Sequence, residues 1–307
     1  MHRANSPSAE TTDTDPTSTD PVDLLRVAVA VAEAAADHVR TRRPEVFGVM
    51  GARVHGSDGQ SVRAKSTPTD PVTVVDTEAE QLIRAHLSEL RPHDAVLGEE
   101  GGGDRDVPAG VRWVVDPIDG TVNFLYGIPA YSVSVAAQID GVSVAGAVVD
   151  VAARVTYSAA KGEGARFVDS SAPDGVVEGT LSCNPVTDTP SVLLATGFGY
   201  GTERRRAQGR LIGELLPHVR DIRRMGSAAL DLCMVASGRV DAHFEHGLNP
   251  WDWAAGALVA SEAGARVHLP GPEVGGASGE VVVAMAPGIA DELEALMRSV
   301  GAYAPIP

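Results

Sequence analysis

Residues 113–124 read WVVDPIDGTVNF, an apolar run followed by two aspartates and a glycine. The apolar residues at its start predict a short buried strand that delivers Asp116 at its carboxyl end. Pro117 has no backbone N–H, so we expect it to stop the hydrogen-bond ladder of that strand. The Asp-Gly-Thr sequence at 119–121 then predicts a turn that opens a helix. The segment therefore indicates a strand, a corner and a helix in close succession.

Two carboxylates that flank such a corner can converge on one point. Asp116 and Asp119 are three residues apart, and the backbone carbonyl of Ile118 lies between them. Oxygen ligands of this kind suit Mg²⁺, which usually keeps several of its waters. The amides of Gly120 and Thr121, at the predicted helix start, are placed to bind a phosphate dianion. In a purely structural interpretation the aspartates are a turn former and a helix N-cap, but the combination favours a metal site.

A different phosphatase chemistry uses an aspartate nucleophile within the pattern Asp-x-Asp-Gly-Thr. In this chain the position two residues before Asp119 is occupied by Pro117. That mechanism needs both carboxylates beside the same phosphorus atom, and this spacing does not supply them. The sequence therefore argues against a phosphoaspartate enzyme.

Further acids stand at the ends of predicted strands and the starts of predicted helices. Glu99 and Glu100 follow a short apolar strand and precede a glycine loop, where a solvated role is the simpler interpretation. Asp76 ends a Val-rich run before a helix that we expect to begin near Thr77, and Asp252 stands between two tryptophans at another helix start. Either aspartate alone would be explained as an N-cap. The paired tryptophans, however, would fix Asp252 more rigidly than a cap requires.

The composition is that of an acidic chain with an ordinary globular interior. Its 307 residues are 44% hydrophobic, and 41 acids against 25 bases give a net charge of −16. Duplex nucleic acid and anionic membranes both favour a basic surface, so neither is expected as a partner. No apolar run reaches the roughly 18 residues that a membrane helix needs, and no signal-peptide core is evident. The two cysteines form no disulfide framework, so we expect a cytoplasmic location.

The first half of the chain combines a helix with β-hairpins. Residues 1–21 are rich in Ser, Thr, Asp and Pro, and we expect them to form a disordered tail. Helical spacing begins at Val22, directly after an Asp-Pro pair that is typical of a helix start. Residues 131–158 alternate with period two around an Asp-Gly pair at 140–141, a strong hairpin signal. Residues 22–158 are therefore predicted to form an α+β half that carries the metal site.

The second half of the chain has a different pattern of predicted strands and helices from the first. Between residues 192 and 300, strand-like and helix-like segments alternate, which predicts an α/β half over residues 159–307. One of its helices, predicted at 203–216, carries four arginines that we interpret as a solvated face. We expect this half to complete a cleft that it shares with the first.

Three motifs in this order resemble those of the inositol monophosphatase family, part of the lithium-sensitive, Mg²⁺-dependent phosphatases that include fructose-1,6-bisphosphatases. They are GEE at residues 98–100, WVVDPIDGTVNF at 113–124 and WDWAAGALVASEAG at 251–264. Shorter similarities lie at residues 65–68, 226–229 and 241–245. The resemblance covers nearly all of the chain from about residue 22 to 300 and is more specific than any single motif.

The resemblance implies two principal Mg²⁺ sites. Glu99, Asp116 and the carbonyl of Ile118 would hold one ion. Asp116, Asp119 and Asp252 would hold the second. Carboxylates crowded in this way repel one another unless cations are bound. The implied metal sites therefore agree with the metal site inferred above from the residue types.

The same resemblance implies the remaining roles. Asp76 would assist a third, weaker Mg²⁺ together with Glu99, partly through water. Glu99 and Thr121 would position and deprotonate the attacking water, and the amides of Gly120 and Thr121 would bind the phosphate. The other substrate contacts would come from Asp119, Gly226, Ser227, Ala228, Glu245 and Asp252.

The implied fold is the layered αβαβα sandwich of the inositol monophosphatase and fructose-1,6-bisphosphatase type, usually a homodimer. The implied activity is Mg²⁺-dependent hydrolysis of myo-inositol 1-phosphate or a related small polyol phosphate. Fructose-1,6-bisphosphatase and histidinol-phosphate phosphatase remain alternatives, because Asn249 and Pro250 depart from one version of the family's substrate loop. A non-catalytic interaction protein that keeps the fold is an alternative from a different class.

Overall fold

The computed structural model describes residues 15–48, 62–64 and 71–307 of the chain. The tail prediction for residues 1–14 and the motif at 65–68 lie outside the described residues. The fold is organised by a seven-stranded and a five-stranded sheet, beside a short ribbon. No helix within these ranges is both long and apolar enough to cross a membrane.

Among the described residues, the α-helices are α1 (Pro21–Phe47), α2 (Val74–Leu90), α3 (Thr121–Tyr126), α4 (Thr202–Leu215), α5 (Ala228–Ala236), α6 (Pro250–Glu262) and α7 (Ala290–Ser299). The ribbon pairs β1 (Val62–Ala64) with β2 (Pro71–Thr73). The seven-stranded sheet contains, in order, β3 (Ala95–Gly98), β4 (Val111–Asp119), β5 (Ser132–Ile139), β6 (Val142–Asp150), β7 (Val155–Ala160), β8 (Ala165–Asp169) and β9 (Val177–Thr180). The five-stranded sheet has the order β11 (Asp221–Arg223), β10 (Leu193–Thr196), β12 (Ala242–His246), β14 (Val281–Met285) and β13 (Arg266–His268).

Helix α1 begins where the sequence predicts. The Asp20 carboxylate accepts hydrogen bonds from the backbone N–H groups of Val22 (2.8 Å) and Asp23 (3.4 Å), which satisfies two donors that the first turn leaves free. The helix includes Pro21, the last residue assigned to the tail by the sequence, because proline suits the first helical position. Its buried stripe of Leu, Val and Ala packs on the seven-stranded sheet beside α2.

Strand β4 corrects one prediction. It continues through Pro117 to Asp119 instead of ending at the proline. Its register pairs Asp116 with Ser134 but Asp119 with Ser132, so two residues of β4 stand opposite one residue of β5 in a bulge. The bulge accommodates the missing N–H, because residues inside a bulge leave the ladder. The strand therefore delivers two aspartates to its carboxyl end.

The rest of the seven-stranded sheet is a series of antiparallel strands after one parallel pair, β3 with β4. The hairpin predicted at Asp140 and Gly141 is confirmed: their φ angles are 51° and 76°, as a two-residue type I′ turn requires. Strands β8 and β9 extend the sheet to Thr180, past residue 158. The division of the chain at residue 158 therefore does not coincide with an edge of the sheet and stays a prediction about domains.

Three apolar clusters among the described residues define five layers. Helices α1 and α2 cover one face of the seven-stranded sheet. Helices α5 and α6 fill the space between the two sheets. Helices α4 and α7 cover the outer face of the five-stranded sheet. The expected αβαβα sandwich is thus confirmed. Helix α6 packs closely on β6, since a Cβ at Gly146 would lie only 3.0 Å from Cα of Ala255.

Candidate active site

The carboxyl end of β4 turns into α3 at Gly120. This residue has φ 94° and ψ 37°, a left-handed conformation that costs other residues about 1 kcal/mol or more. A Cβ here would lie 3.0 Å from the carbonyl oxygens of both Ala130 and Gly226. The turn therefore needs glycine for its conformation and for the close approach of the neighbouring backbone.

A cavity of about 420 Å³ opens at this corner and receives residues from both sheets. Most of the site residues proposed from the sequence line it: Glu99, Asp116, Ile118, Asp119, Gly120, Thr121, Gly226, Ala228, Glu245 and Asp252. The other two, Asp76 and Ser227, stand behind the wall and hydrogen-bond to residues that line it. The structure thus brings together residues from six separate stretches of the chain.

Three carboxylates form the floor of the cavity. Asp116 and Asp119 come from the bulged end of β4, and Asp252 comes from the first turn of α6. One carboxylate oxygen from each lies within 4.8 Å of the others. Three acids this close need either protons or a cation.

Asp119 links the end of β4 directly to the start of α5. Its Oδ2 accepts hydrogen bonds from the Ser227 hydroxyl (2.5 Å) and from the backbone N–H of Ala229 (2.8 Å). It therefore satisfies donors at the start of α5, in addition to the cap that Ser227 itself provides to Leu230. The N-cap interpretation of Asp119 is corrected in one respect: it caps α5, a distant helix, and not the α3 helix that follows it in sequence.

Asp252 and Asp76 occupy matching positions in two capping boxes. Asp252 is the third residue of α6, and its Oδ2 accepts a hydrogen bond from the N–H of Asn249 at 2.6 Å. Asp76 is the third residue of α2 and accepts from both the N–H (2.9 Å) and the hydroxyl of Thr73. The N-cap interpretation is wrong for both, because the caps are Asn249 and Thr73. Helix α2 accordingly starts at Val74, earlier than predicted.

Thr121 connects the floor of the cavity to α2. Its hydroxyl lies 3.1 Å from Oδ1 of Asp76 and 3.0 Å from the carbonyl oxygen of Ile118. Asp76 thus uses one oxygen for its capping box and the other for Thr121. The hydroxyl is fixed between two acceptors beside the aspartate cluster.

The electrostatics of the site favour a bound cation. Burial raises the pKa of Asp119 to about 6, although the hydrogen bonds from Ser227 and Ala229 act in the opposite direction. Burial, and then the negative charges of Glu99 and Asp119, raise the pKa of Asp252 well above its ordinary value. Without positive charge nearby, the ionised forms of these two carboxylates are therefore disfavoured.

Two arginines of the cavity wall were not assigned to the site from the sequence. Arg204 and Arg224 both line it. The interpretation of Arg204 as part of a solvated helix face is wrong, because its guanidinium donates to the carbonyl oxygens of Gly276 (2.8 Å) and Pro307 (2.7 Å). No local pattern distinguishes Arg204 from the arginines beside it, so only the tertiary structure could reveal this difference.

The donor set fits a hard divalent cation such as Mg²⁺. The clustered side-chain donors are all carboxylate oxygens, and Mg²⁺ prefers oxygen ligands. Glu99 and the carbonyl of Ile118 face the same cavity and would add further oxygens. A cation would also offset the burial that raises the pKa of Asp119, and the burial and repulsion that raise the pKa of Asp252.

Comparison with known proteins agrees with this geometry. The model of the inositol monophosphatase family matches residues 20–301. The Mycobacterium tuberculosis protein named inositol-1-monophosphatase SuhB is 56% identical over 292 residues, which cover 94% of this chain and 98% of that protein. A Mycobacterium leprae protein named inositol-1-monophosphatase is 57% identical over 295 residues, with coverage of 94% and 97%.

The fold comparison leads to the same family. The solved structure of Mycobacterium tuberculosis SuhB has a TM-score of 0.75 at 50% identity and covers 92% of this chain and 99% of that one. A relative from Vibrio cholerae, 33% identical over 245 residues (80% of this chain, 84% of that protein), carries a different name, Nus factor SuhB. Because the family model spans most of the sequence and the mycobacterial relatives match over nearly their full length, the chain belongs to the inositol monophosphatase family and is a phosphatase.

Proposed function

We propose that the chain hydrolyses myo-inositol 1-phosphate or a related small polyol phosphate, using Mg²⁺ held at the aspartate cluster. The observation that carries the proposal is the convergence of Asp116, Asp119 and Asp252 within 4.8 Å, beside the turn formed by Gly120 and Thr121. The names of the mycobacterial relatives support the choice of substrate.

Asp116 would be shared by two Mg²⁺ ions. Glu99 and the carbonyl of Ile118 would complete the ligands of one, and Asp119 and Asp252 those of the other. When bound, divalent cations lower the pKa of a coordinated water and stabilise negative charge on phosphate oxygens. The amides at the Gly-Thr turn would bind and orient the phosphate.

Glu99 and Thr121 would act on the attacking water. Glu99 would accept its proton, and the Thr121 hydroxyl would orient it. Asp76 supports this assignment, because its Oδ1 lies 3.1 Å from the Thr121 hydroxyl and limits where that group can point. Asp76 and Glu99 would also hold the third, weaker Mg²⁺.

The alcohol of the substrate would be recognised on the other side of the cluster. Glu245 and Asp252 would accept hydrogen bonds from its hydroxyls, together with Asp119. The backbone of residues 226–228 would add further contacts. The Ser227 hydroxyl is engaged by Asp119 at 2.5 Å, so we assign this residue a contact through its backbone.

The finer properties implied by the family are part of the same proposal. We propose a cytoplasmic homodimer that is inhibited by lithium and does not bind nucleic acid. The net charge of −16 supports the last point for this chain. The name Nus factor belongs to the Vibrio cholerae relative.

The test is a phosphate-release assay with and without Mg²⁺. The substrates are myo-inositol 1-phosphate, fructose 1,6-bisphosphate, histidinol phosphate and adenosine 3′,5′-bisphosphate. We expect the highest kcat/KM with the inositol ester, and a loss of at least about a hundredfold in EDTA, because a metal cofactor supplies a large part of the rate enhancement. A higher kcat/KM with another ester would identify that ester as the preferred substrate. The absence of Mg²⁺-dependent phosphate release from all four would refute the proposal.

Glu245→Gln is expected to raise KM about tenfold while the affinity for Mg²⁺ stays within about twofold. Glutamine keeps the size of the side chain, which matters because a Cβ at Gly197 would already lie 2.0 Å from Oε2 of Glu245. It removes one of the two oxygens that accept hydrogen bonds from substrate hydroxyls. Steady-state kinetics and calorimetric Mg²⁺ titration measure the two effects, and a matching loss of Mg²⁺ affinity would make Glu245 a metal ligand instead.

A further inference from the structure

The loop that carries Glu99 is bent around a carboxylate from helix α2. Glu80 is only 2% exposed. Its Oε2 accepts a hydrogen bond from the backbone N–H of Glu100 at 2.6 Å, and its Oε1 accepts one from Gly101 at 2.8 Å. Glu99 directly precedes these two residues and lines the cavity. A buried acid that the reaction does not use thus holds the backbone next to a proposed metal ligand.

Two glycines make room for this carboxylate. A Cβ at Gly98 would lie 2.4 Å from Oε1 of Glu80, and a Cβ at Gly101 would lie 2.6 Å from the same atom. Neither glycine has a positive φ angle. Their requirement is therefore one of space, and it exists because the glutamate occupies the inside of the loop.

Arg84 completes the arrangement from the next turn of α2. Its Nε donates to Oε1 of Glu80 at 2.7 Å, and its second guanidinium nitrogen donates to the carbonyl oxygen of Gly102 at 2.6 Å. The same carbonyl accepts the N–H of Gly98 at 3.0 Å, which closes the loop. The carboxylate thus holds the amides of the loop while the guanidinium holds its carbonyl.

Helix α2 contacts the site at two points. Asp76 and Glu80 are one helical turn apart and are both buried. Asp76 reaches Thr121, and Glu80 reaches the Glu99 loop. One rigid helix therefore sets the distance between the two groups proposed to act on the attacking water.

We propose that Glu80, held by Arg84, is a positioning residue that fixes Glu99 against the aspartate cluster and thereby sets the affinity for Mg²⁺. The proposal deepens the proposed function and rests on it for the identity of the metal. The hydrogen bonds that Glu80 makes to the loop can be measured without turnover.

The test is Glu80→Gln, compared with Glu78→Gln on the same helix. Glutamine is isosteric, but its NH₂ group cannot accept the hydrogen bond of an amide. Glu78 is a suitable control because it is partly exposed and its partners are Arg42 (2.8 Å) and His38 (3.2 Å) of helix α1. Isothermal titration with Mg²⁺ is expected to show a Kd about tenfold higher for Glu80→Gln, the size typical of residues that orient metal ligands. Hydrogen exchange at Glu100 and Gly101 is expected to accelerate at least about tenfold. Glu78→Gln should leave both quantities within about twofold.

A Glu80→Gln protein with the Mg²⁺ affinity and amide exchange of the wild type would overturn the positioning role. If that variant does not fold, Gly101→Ala replaces it, since its added Cβ would displace the carboxylate, and the same two measurements apply. A wild-type protein that binds Mg²⁺ but hydrolyses no phosphate ester would refute the proposed function alone. A protein that hydrolyses the ester with Mg²⁺, but whose affinity is insensitive to Glu80, would refute the positioning role alone.

Discussion

Replacing Asp116 by Asn is expected to lower kcat/KM for the phosphate ester by about a thousandfold, or about 4 kcal/mol of transition-state stabilisation. The side chain is 1% exposed, and its Oδ1 accepts the N–H of Ile118 at 3.0 Å. Asparagine can still accept that bond, so the bulge of β4 is retained. What is lost is the negative charge proposed to be shared by both metal ions. Calorimetric titration should show a parallel loss of Mg²⁺ affinity.

The matched control is Asp150→Asn in the same sheet. Asp150 is also buried and accepts a backbone N–H, that of Ala153 at 2.9 Å, but it does not line the cavity. The activity of the Asp150→Asn variant should remain within about twofold of the wild type, because substitutions outside the site act mainly on stability. Near-normal turnover by Asp116→Asn would remove the basis of the metal assignment.

Magnesium is expected to stabilise the protein far more at pH 8 than at pH 5. In the metal-free protein the pKa of Asp119 is raised from 3.8 to about 6. A carboxyl group whose pKa is higher in the folded state contributes its full stabilisation at pH values below its unfolded-state pKa. This contribution is lost as the pH rises through its folded-state pKa. The loss amounts to about 3 kcal/mol at pH 8. A cation removes that penalty by taking the place of the proton, whereas at pH 5 the proton competes with it.

Thermal unfolding measures this difference. With 10 mM MgCl₂ we expect Tm to rise by about 5 °C at pH 8 and by less than about 2 °C at pH 5. Sodium chloride at matched ionic strength controls for screening of surface charges, which is not specific to the cluster. Equal shifts at the two pH values would show that Mg²⁺ does not bind at ionised carboxylates in this cavity.

Local chemistry was sufficient to predict most of the elements. The Asp-Gly hairpin and the start of α1 depend on neighbouring residues alone, so the sequence identifies them. The end of β4 does not: Pro117 remains within the strand only because β5 offers a register that tolerates a bulge. Strands β8 and β9 were missed because β9 is an edge strand and β8 is its neighbour, and partial exposure there removes the alternation that marks a half-buried strand.

The sequence named many of the residues that line the cavity, but not the hydrogen bonds that connect them. The family resemblance identified the carboxylates, and the cavity brings them together. The hydrogen bond between Asp119 and Ser227 spans 108 residues of sequence, so no local pattern contains it. Glu80 could in principle have been identified from the sequence, because an acid four residues after Asp76 lies on the same side of a helix. Its role became visible only with the loop that it binds.

The hydrogen bonds from Ser227 and Ala229 to Asp119 have an evolutionary consequence. A homologue that had lost phosphatase activity would still need a hydrogen-bond acceptor at position 119 to hold the start of α5. Selection for folding alone would then conserve Asp119, although it would no longer take part in catalysis. In such relatives, we expect the substitutions that abolish turnover at Glu99 or Thr121 and not at Asp119, which joins β4 to α5.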